Sequence, residues 1–258
     1  MSDSGRTPEE IRVTREGTLL RLTLTRPERL NALGTTELHS LADEVDKAAA
    51  DEGVRALVLT GEGRAFCSGA DLGTVVDAGT VEAANRTVLA LRHIRKPVVA
   101  AVNGTAAGVG CSLALACDLV IAKRSAYFLL AFAGVGLMPD GGATALVPAA
   151  VGRARAMRMA LLGERITAET AAEWGLIGQV VDDDAFDETV ESVAARLTSG
   201  PPLAYERIKG AVNETALPFL NRALETERTG QTQLLHSEDF TEGVAAFRAR
   251  REPRFTGR

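Results

Sequence analysis

The chain has 258 residues, of which 46% are apolar and 24% charged, and its net charge at pH 7 is −5. A chain of this length can bury one substantial core, with at most a small appended unit. Its acidic balance argues against nucleic-acid binding, because attraction to phosphates requires a basic face.

The first half of the chain alternates between strand and helix patterns. Residues 18–24 and 54–60 are apolar and predict strands, whereas residues 35–50 carry apolar side chains at helical spacing. The alternation continues as a predicted helix, strand, helix and strand at residues 82–94, 97–102, 108–116 and 119–122. This order is typical of parallel strands joined by helical crossovers, and therefore of an α/β fold.

The second half is predicted to be mainly helical from residue 153 onwards. Its clearest break is Ser-Gly-Pro-Pro at residues 199–202, because consecutive prolines cannot continue a helix. We therefore expect a core domain over residues 1–199 and a C-terminal helical oligomerisation region over residues 200–258. Within the core, residues 73–84 (GTVVDAGTVEAA) predict a flexible loop that forms the variable wall of a pocket.

Other segments argue against a membrane protein and against a metal centre. No apolar run reaches the roughly 18 to 20 residues needed to cross a bilayer, and the first ten residues lack the basic and apolar segments of a signal peptide. We therefore expect a cytoplasmic protein. The cysteines lack the spacing of metal ligands, and Cys67 and Cys111 are interpreted as small packing residues.

The stretch AAGVGCSLALACD, at residues 106–118, follows an apolar strand and has small residues where an active site usually has acids or bases. A strand, a glycine turn and a helix also open a dinucleotide-binding unit. The third glycine of that motif is missing here, which disfavours a Rossmann-type oxidoreductase. The glycines can instead serve only the close packing of a helix on a strand.

A third interpretation uses the backbone amides. The first N–H groups of a helix have no partner within it, so the N–H of Val109 can donate to a developing oxyanion. A second donor can come from Ala70, in the turn of RAFCSGADL at residues 64–72. That segment also fits a tight loop in which Asp71 accepts local backbone amides, and spacing alone leaves both readings open.

Six segments in a fixed order carry a resemblance to a known family. They are RPERLNAL (26–33), GRAFCSGADL (63–72), KPVVAAVNGTAAGVGCSLALACDLVIA (96–122), GLMPDGGAT (136–144), TAETAAEWGLIGQVV (167–181) and EGVAAFRARREPRFTGR (242–258). Together they resemble the crotonase superfamily, also called the enoyl-CoA hydratase/isomerase family, over nearly the whole chain. The resemblance implies a ClpP/crotonase-like spiral of β-β-α units with a C-terminal helical region, assembled as a homotrimer or homohexamer.

The resemblance also implies that acyl-CoA thioesters are the substrates, so that coenzyme A enters with the substrate and no separate cofactor is needed. The thioester oxygen would be held by the N–H groups of Ala70 and Val109. Phe247 also fits a core position, and Arg250 would reach the nucleotide from a neighbouring subunit's tail. The coenzyme A contacts implied in this way are Arg29, Leu30, Ala70, Asp71, Leu72, Phe247 and Arg250.

The catalytic acids depart from the best-known branch of that family. Its hydratases use two glutamates, and the corresponding positions here hold Ser112 and Phe132, which disfavours water addition. The GLMPDGGAT segment instead resembles the isomerase branch of phenylacetyl-CoA degradation, in which an aspartate at the position of Asp140 transfers the proton. Asp140 before two glycines also fits a helix N-cap. Ser112 can donate a hydrogen bond to the substrate or simply leave room in the pocket.

The sequence therefore favours an enoyl-CoA isomerase in which Asp140, Ala70 and Val109 form the catalytic set. Two alternatives stay open. One is an enoyl-CoA hydratase of fatty-acid β-oxidation with atypical catalytic residues, and the other is a non-catalytic acyl-CoA-binding protein.

Overall fold

The computed structural model describes residues 11–258, so the expectation for the first ten residues lies outside the described part of the chain. The strands are β1 (Ile11–Glu16), β2 (Leu19–Leu24), β3 (Ala56–Gly61), β4 (Ala65–Cys67), β5 (Val98–Val102), β6 (Thr105–Ala107), β7 (Leu119–Lys123), β8 (Tyr127–Leu129), β9 (Ile166–Thr167) and β10 (Gln179–Val181). The helices are α1 (Thr35–Ala50), α2 (Ala78–His93), α3 (Val109–Ala116), α4 (Ala143–Leu162), α5 (Ala168–Trp174), α6 (Phe186–Ser199), α7 (Pro202–Ala216), α8 (Leu220–Leu234) and α9 (Glu238–Ala249). Two 3₁₀ turns, Pro27–Arg29 and Ala133–Val135, lie in the connecting loops.

The strands form two sheets that the chain visits alternately. The larger has the order β1-β2-β3-β5-β7-β10, parallel throughout except for the antiparallel pair of β1 and β2. The smaller has the order β4-β6-β8-β9, in which only the β8–β9 pair is antiparallel. Successive turns add one strand to each sheet and then a helix, as in β3-β4-α2 and β5-β6-α3. The predicted spiral of β-β-α units is confirmed.

The core explains why the central strands are uniformly apolar. All five residues of β5 are buried, because the parallel sheet is covered on both faces. The larger apolar cluster lies between this sheet, helices α1 to α3 and the smaller sheet, and includes Leu38, Leu59, Leu91 and Phe128. The opposite face of the sheet packs on α6 through Phe186 and its neighbours.

The predicted strands and helices of the first half are present, with a few differences. Strand β1 was not predicted, because all of its six residues except Ile11 are exposed and it has no apolar run. The two- and three-residue strands of the smaller sheet were not predicted either, because so short a segment has no readable periodicity. The prediction of a loop over residues 73–84 is wrong beyond Asp77, which begins helix α2 by accepting the N–H of Thr80. Within residues 11–258, no helix combines the length and apolar character needed to cross a membrane.

Candidate active site

A cavity of about 670 Å³ opens where the two sheets, helices α2 and α3 and the C-terminal helices meet. It is lined by the loop after β4, the start of α3, the segment 131–140 and parts of α8 and α9. A concave, mainly apolar pocket with a few convergent polar groups is the usual form of a small-molecule site. Of the residues predicted for the site, the lining includes Arg29, Leu30, Ala70, Asp71, Leu72, Val109, Asp140 and Phe247, but not Arg250.

Two backbone amides come together at one edge of this pocket. Ala70 and Val109 each follow a glycine, and those glycines touch: a Cβ built on Gly108 would lie 3.5 Å from the Cα of Gly69. Val109 is the first residue of α3, so its N–H has no intrahelical acceptor. Among the hydrogen bonds of residues 11–258 outside regular helices and strands, neither the Ala70 nor the Val109 N–H is used. Both N–H groups therefore lie on adjoining segments and are available to a ligand.

The glycine turn serves close packing as well as the site. Gly108 has a φ of +52°, which a side chain would strain. A Cβ on Gly110 would overlap the carbonyl oxygen and side chain of Cys67, so α3 approaches β4 as closely as a glycine allows. Cys67 and Cys111 are buried, and burial raises the pKa of each thiol to about 12, consistent with their interpretation as packing residues.

Asp140 lies in the turn before α4, with 7% of its surface exposed. The pKa of its carboxyl is raised to about 7: burial is the main cause, a hydrogen bond from Gln231 acts in the opposite direction, and the nearby Glu227 carboxylate adds to the increase. The neighbouring Gly141 packs on α3, where a Cβ would lie 3.0 Å from that of Ser112 and 3.7 Å from Cγ2 of Val109. Asp140 is therefore adjacent to the helix that supplies one of the two amides.

The interpretation of Asp140 as the N-cap of α4 is wrong. The cap position is Gly142, and no side chain from the turn itself caps the helix. Glu227 of α8 does so instead: its carboxylate accepts the N–H of Gly142 at 2.7 Å and the N–H of Thr144 at 2.8 Å. The Asp140 side chain is consequently free of a capping role.

Glu227 and Gln231 were missed by sequence reasoning. Both are buried, with 0% and 1% exposed surface, and Gln231 donates from Nε2 to Oδ2 of Asp140 at 2.7 Å. Together with Leu220 and Leu224 they occupy one face of α8 at spacings of four, three and four residues. Two polar residues at core-facing positions of an amphipathic helix were the available signal, since buried polar groups need partners.

At the two positions that hold glutamates in hydratases, one side chain lies outside the pocket and the other lines it. Ser112 is fully buried, and its hydroxyl donates to the carbonyl oxygen of Asp140 at 2.7 Å. It does not line the pocket, so it is not placed to donate to a substrate. Phe132 does line the pocket, with its ring 3.9 Å from the Cβ position of Gly108. Neither position offers the pocket a group that exchanges protons.

Two arginine side chains lie near the loop that carries Ala70. The carboxylate of Asp71 accepts from Arg26 at 2.9 Å and from Arg29 at 3.0 Å, and it also accepts the N–H of Gly73. These bonds hold the pKa of Asp71 below its usual value although burial acts in the opposite direction. The side chain of Arg29 remains half exposed at the pocket, which leaves it able to meet an anionic ligand.

Helix α9 closes the pocket on its outer side. Arg248 donates from Nη2 to the carbonyl oxygen of Leu72 at 2.5 Å, which ties α9 to the loop after β4. Phe247 is 62% exposed while lining the pocket, so the core interpretation of this residue is wrong. Arg250 ends the helix in a left-handed conformation, with φ +52°, away from the lining.

The chain is similar to known proteins over most of its length. A family model described as enoyl-CoA hydratase/isomerase matches residues 14–258. The 1,2-epoxyphenylacetyl-CoA isomerase of Escherichia coli K12 is 45% identical over 93% of this chain and 95% of its own. A probable enoyl-CoA hydratase of Rhodobacter capsulatus is 46% identical over 92% and 94%. A crystal structure of an enoyl-CoA hydratase from Mycobacterium avium subsp. paratuberculosis K-10 superposes with a TM-score of 0.92, at 46% identity over 96% of this chain and 98% of that one.

Proposed function

Because the chain belongs to the enoyl-CoA hydratase/isomerase family of acyl-CoA enzymes, we propose that it isomerises an enoyl-CoA thioester, with Asp140 carrying the proton. One observation carries this proposal. Three carboxylates line the pocket within residues 11–258: Glu28 is exposed and Asp71 is paired with arginines, whereas Asp140 is buried without a cation. A double-bond shift needs one carboxyl group that can transfer a proton.

The proposed reaction begins at the thioester oxygen. The N–H groups of Ala70 and Val109 would bind this oxygen, so that negative charge can move onto it when the neighbouring carbon loses a proton. Donors of this kind typically contribute about 3 to 4 kcal/mol each to the transition state. The N-terminus of α3 adds a favourable partial positive charge at the same point.

Asp140 then moves one proton between two carbons. As a carboxylate it removes the proton from the α-carbon of a 3-enoyl thioester, and the electron pair passes to the thioester oxygen as a dienolate. The protonated carboxyl returns the proton to the γ-carbon, the double bond moves next to the thioester, and no water or other reactant is consumed. A pKa of about 7 suits both steps, because neither protonation state is strongly disfavoured near neutral pH.

The pocket walls favour an apolar acyl group. Val76, Val81 and Ala84, at and before helix α2, line the cavity together with Phe132 and Leu235. The epoxide isomerisation in the name of the E. coli relative also starts from an acyl-CoA thioester. It would therefore use the same two backbone amides and the same carboxyl group.

The test is proton exchange in heavy water on a panel of 2-enoyl-CoA and 3-enoyl-CoA thioesters. Asp140→Asn should lower α- and γ-proton exchange and double-bond migration by about 10²- to 10⁴-fold while thioester binding persists. Asp184→Asn, at an exposed position, is the matched control and should leave both rates unchanged. Water addition that survives in Asp140→Asn would identify a hydratase that does not use this group. Thioester binding without exchange in the unsubstituted protein would identify a binding protein.

A further inference from the structure

The side chain of Gln231 joins two points of the turn that carries Asp140. Its Nε2 donates to Oδ2 of Asp140 at 2.7 Å, and its Oε1 accepts the backbone N–H of Met138 at 3.1 Å. Gln231 is 99% buried and belongs to α8, more than ninety residues along the chain from the turn. An amide with both ends engaged in a buried site has little freedom to rotate.

The backbone determines which end of this amide faces Asp140. A main-chain N–H can only donate, so the group that meets Met138 must be the oxygen of the Gln231 amide. The NH₂ group is then left to face Oδ2. The reverse orientation would oppose two donors at Met138 and two acceptors at Asp140, and both would be buried without partners.

This arrangement distinguishes the two oxygens of the Asp140 carboxyl. Oδ2 is held by Gln231, whereas Oδ1 takes part in no side-chain hydrogen bond found among residues 11–258. We infer that Gln231 is a positioning residue for Asp140: it fixes the carboxyl so that Oδ1 is the atom that exchanges the proton with substrate, and it favours the ionised form that removes that proton. This inference rests on the proposed function of Asp140.

Gln231 is the principal group that opposes the effect of burial on the pKa of Asp140. Glu227, one turn earlier on α8, is negatively charged and raises the pKa of Asp140, as burial does. From α3, Ser112 reaches the carbonyl oxygen of Asp140 rather than its carboxyl group. A neutral donor at Oδ2 therefore stabilises the carboxylate where no cation is available.

The experiment measures kcat/KM for double-bond migration from pH 5 to pH 10 in the full-length protein. Gln231→Met keeps the approximate volume and removes both hydrogen bonds. Gln231→Glu keeps an acceptor for the N–H of Met138 and replaces the donor facing Asp140 with a carboxylate. Because it retains the bond to the turn, it serves as the second variant if Gln231→Met folds poorly. Gln233→Met, the same substitution at an exposed position of α8, is the matched control.

We expect the acid limb of kcat/KM to move to higher pH by about one unit in Gln231→Met, because a hydrogen bond to a charged group is typically worth one to two pKa units. For a limb that starts near pH 7, this shift lowers the rate about fivefold at pH 7 and much less at pH 9. Gln231→Glu should move the limb in the same direction, since a second carboxylate disfavours ionisation of the first. Gln233→Met should not move it.

A uniform loss of rate at every pH, or a profile of Gln231→Met that matches Gln233→Met, would overturn this inference. The proposed function has its own readout, because it fails if Asp140→Asn retains isomerisation or if the unsubstituted protein binds thioesters without isomerising them. An inactive Asp140→Asn combined with unshifted Gln231 variants would therefore leave Asp140 as the acid-base group and remove Gln231 from its support.

Discussion

The hydroxyl of Ser112 donates a 2.7 Å hydrogen bond to the backbone carbonyl oxygen of Asp140. The bond links helix α3, which begins at the glycine turn, to the segment that carries the proposed acid-base group. Because Ser112 is fully buried, the bond is shielded from water. Its geometry couples the position of Asp140 to that of the Val109 amide at the start of the same helix.

Loss of this bond should lower catalysis without changing its pH dependence. Ser112→Ala leaves a buried carbonyl oxygen with one fewer donor, so we expect a loss of about 1 kcal/mol in unfolding free energy and a several-fold decrease in kcat. The acid limb should stay in place, since the bond is made to the backbone and not to the carboxyl group. Urea unfolding and pH-dependent kinetics provide the measurements.

Ser199→Ala is the matched control for that variant. Ser199 also donates to a backbone carbonyl oxygen, that of Arg196, but at an exposed helix end. We expect no measurable change in rate. A Ser112→Ala protein as active as Ser199→Ala would show that the buried hydroxyl does not hold Asp140.

Much of the architecture could be predicted from the sequence. Uniformly apolar strands such as residues 97–102 and the helical spacing of residues 35–50 identify the parallel sheet and its covering helices, and both are present. The family resemblance identified the spiral of β-β-α units. These features depend on local periodicity and on motifs that extend over many residues, which a single sequence displays directly.

The support of Asp140 could not be predicted in the same way. Glu227 and Gln231 contact the turn from about ninety residues away, and no motif marks them. The capping interpretation of Asp140 followed a rule about neighbours in sequence, whereas the actual cap comes from a distant helix. Side-chain partners across helices depend on tertiary packing, so local spacing does not determine them. The roles of Asp140, Ala70 and Val109 stay predictions.

Replacement of Glu227 should move the pH profile in the direction opposite to that expected for Gln231→Met. The Glu227 carboxylate raises the pKa of Asp140, so Glu227→Gln should lower this pKa and move the acid limb of kcat/KM to lower pH. The variant should also lose about 2 kcal/mol of unfolding free energy, because one amide oxygen cannot serve both the Gly142 and Thr144 N–H groups.

The matched control for Glu227→Gln is Glu225→Gln, on the same helix. Glu225 is exposed and pairs with Arg228 one turn along, so its substitution should leave both the profile and the stability unchanged. An acid limb that moves to higher pH in Glu227→Gln would contradict the assigned electrostatics. It would mean that disruption of the turn outweighs the lost charge.

Arg29 should affect binding of coenzyme A thioesters more than catalysis. Its side chain is half exposed at the pocket, and Asp71 keeps Arg26 as a second partner when Arg29 is removed. We expect Arg29→Ala to raise KM for a CoA thioester about two- to fivefold, the effect of losing an exposed ion pair, with kcat unchanged. A thioester of pantetheine, which lacks the nucleotide phosphates, should be insensitive to the substitution.

The comparison of the two thioesters separates phosphate recognition from general damage to the pocket. Arg55→Ala, at an exposed position whose side chain donates to the carbonyl oxygen of Thr198, is the control and should leave both KM values unchanged. Equal effects of Arg29→Ala on the two thioesters would assign Arg29 to the support of the Asp71 loop instead of to the nucleotide.

Asp140 should also lower the stability of the protein at neutral and alkaline pH. Its pKa is about 7 in the folded chain, compared with an ordinary value of 3.8, so between these values unfolding releases a proton. The contribution of Asp140 to the free energy of unfolding is therefore most favourable below pH 4, falls as the pH rises to 7, and changes no further above this range. Asp140→Asn removes the titration and keeps an oxygen that can accept the hydrogen bond from Gln231. We expect this variant to be about 2 to 4 kcal/mol more stable than the unsubstituted protein at pH 8, with the difference shrinking toward pH 4. Urea unfolding at a series of pH values measures it, with the exposed Asp184→Asn as control. A stability difference that does not vary with pH would show that Asp140 ionises at an ordinary pH. The proposal that burial prepares this carboxyl group for proton transfer would then have to be abandoned.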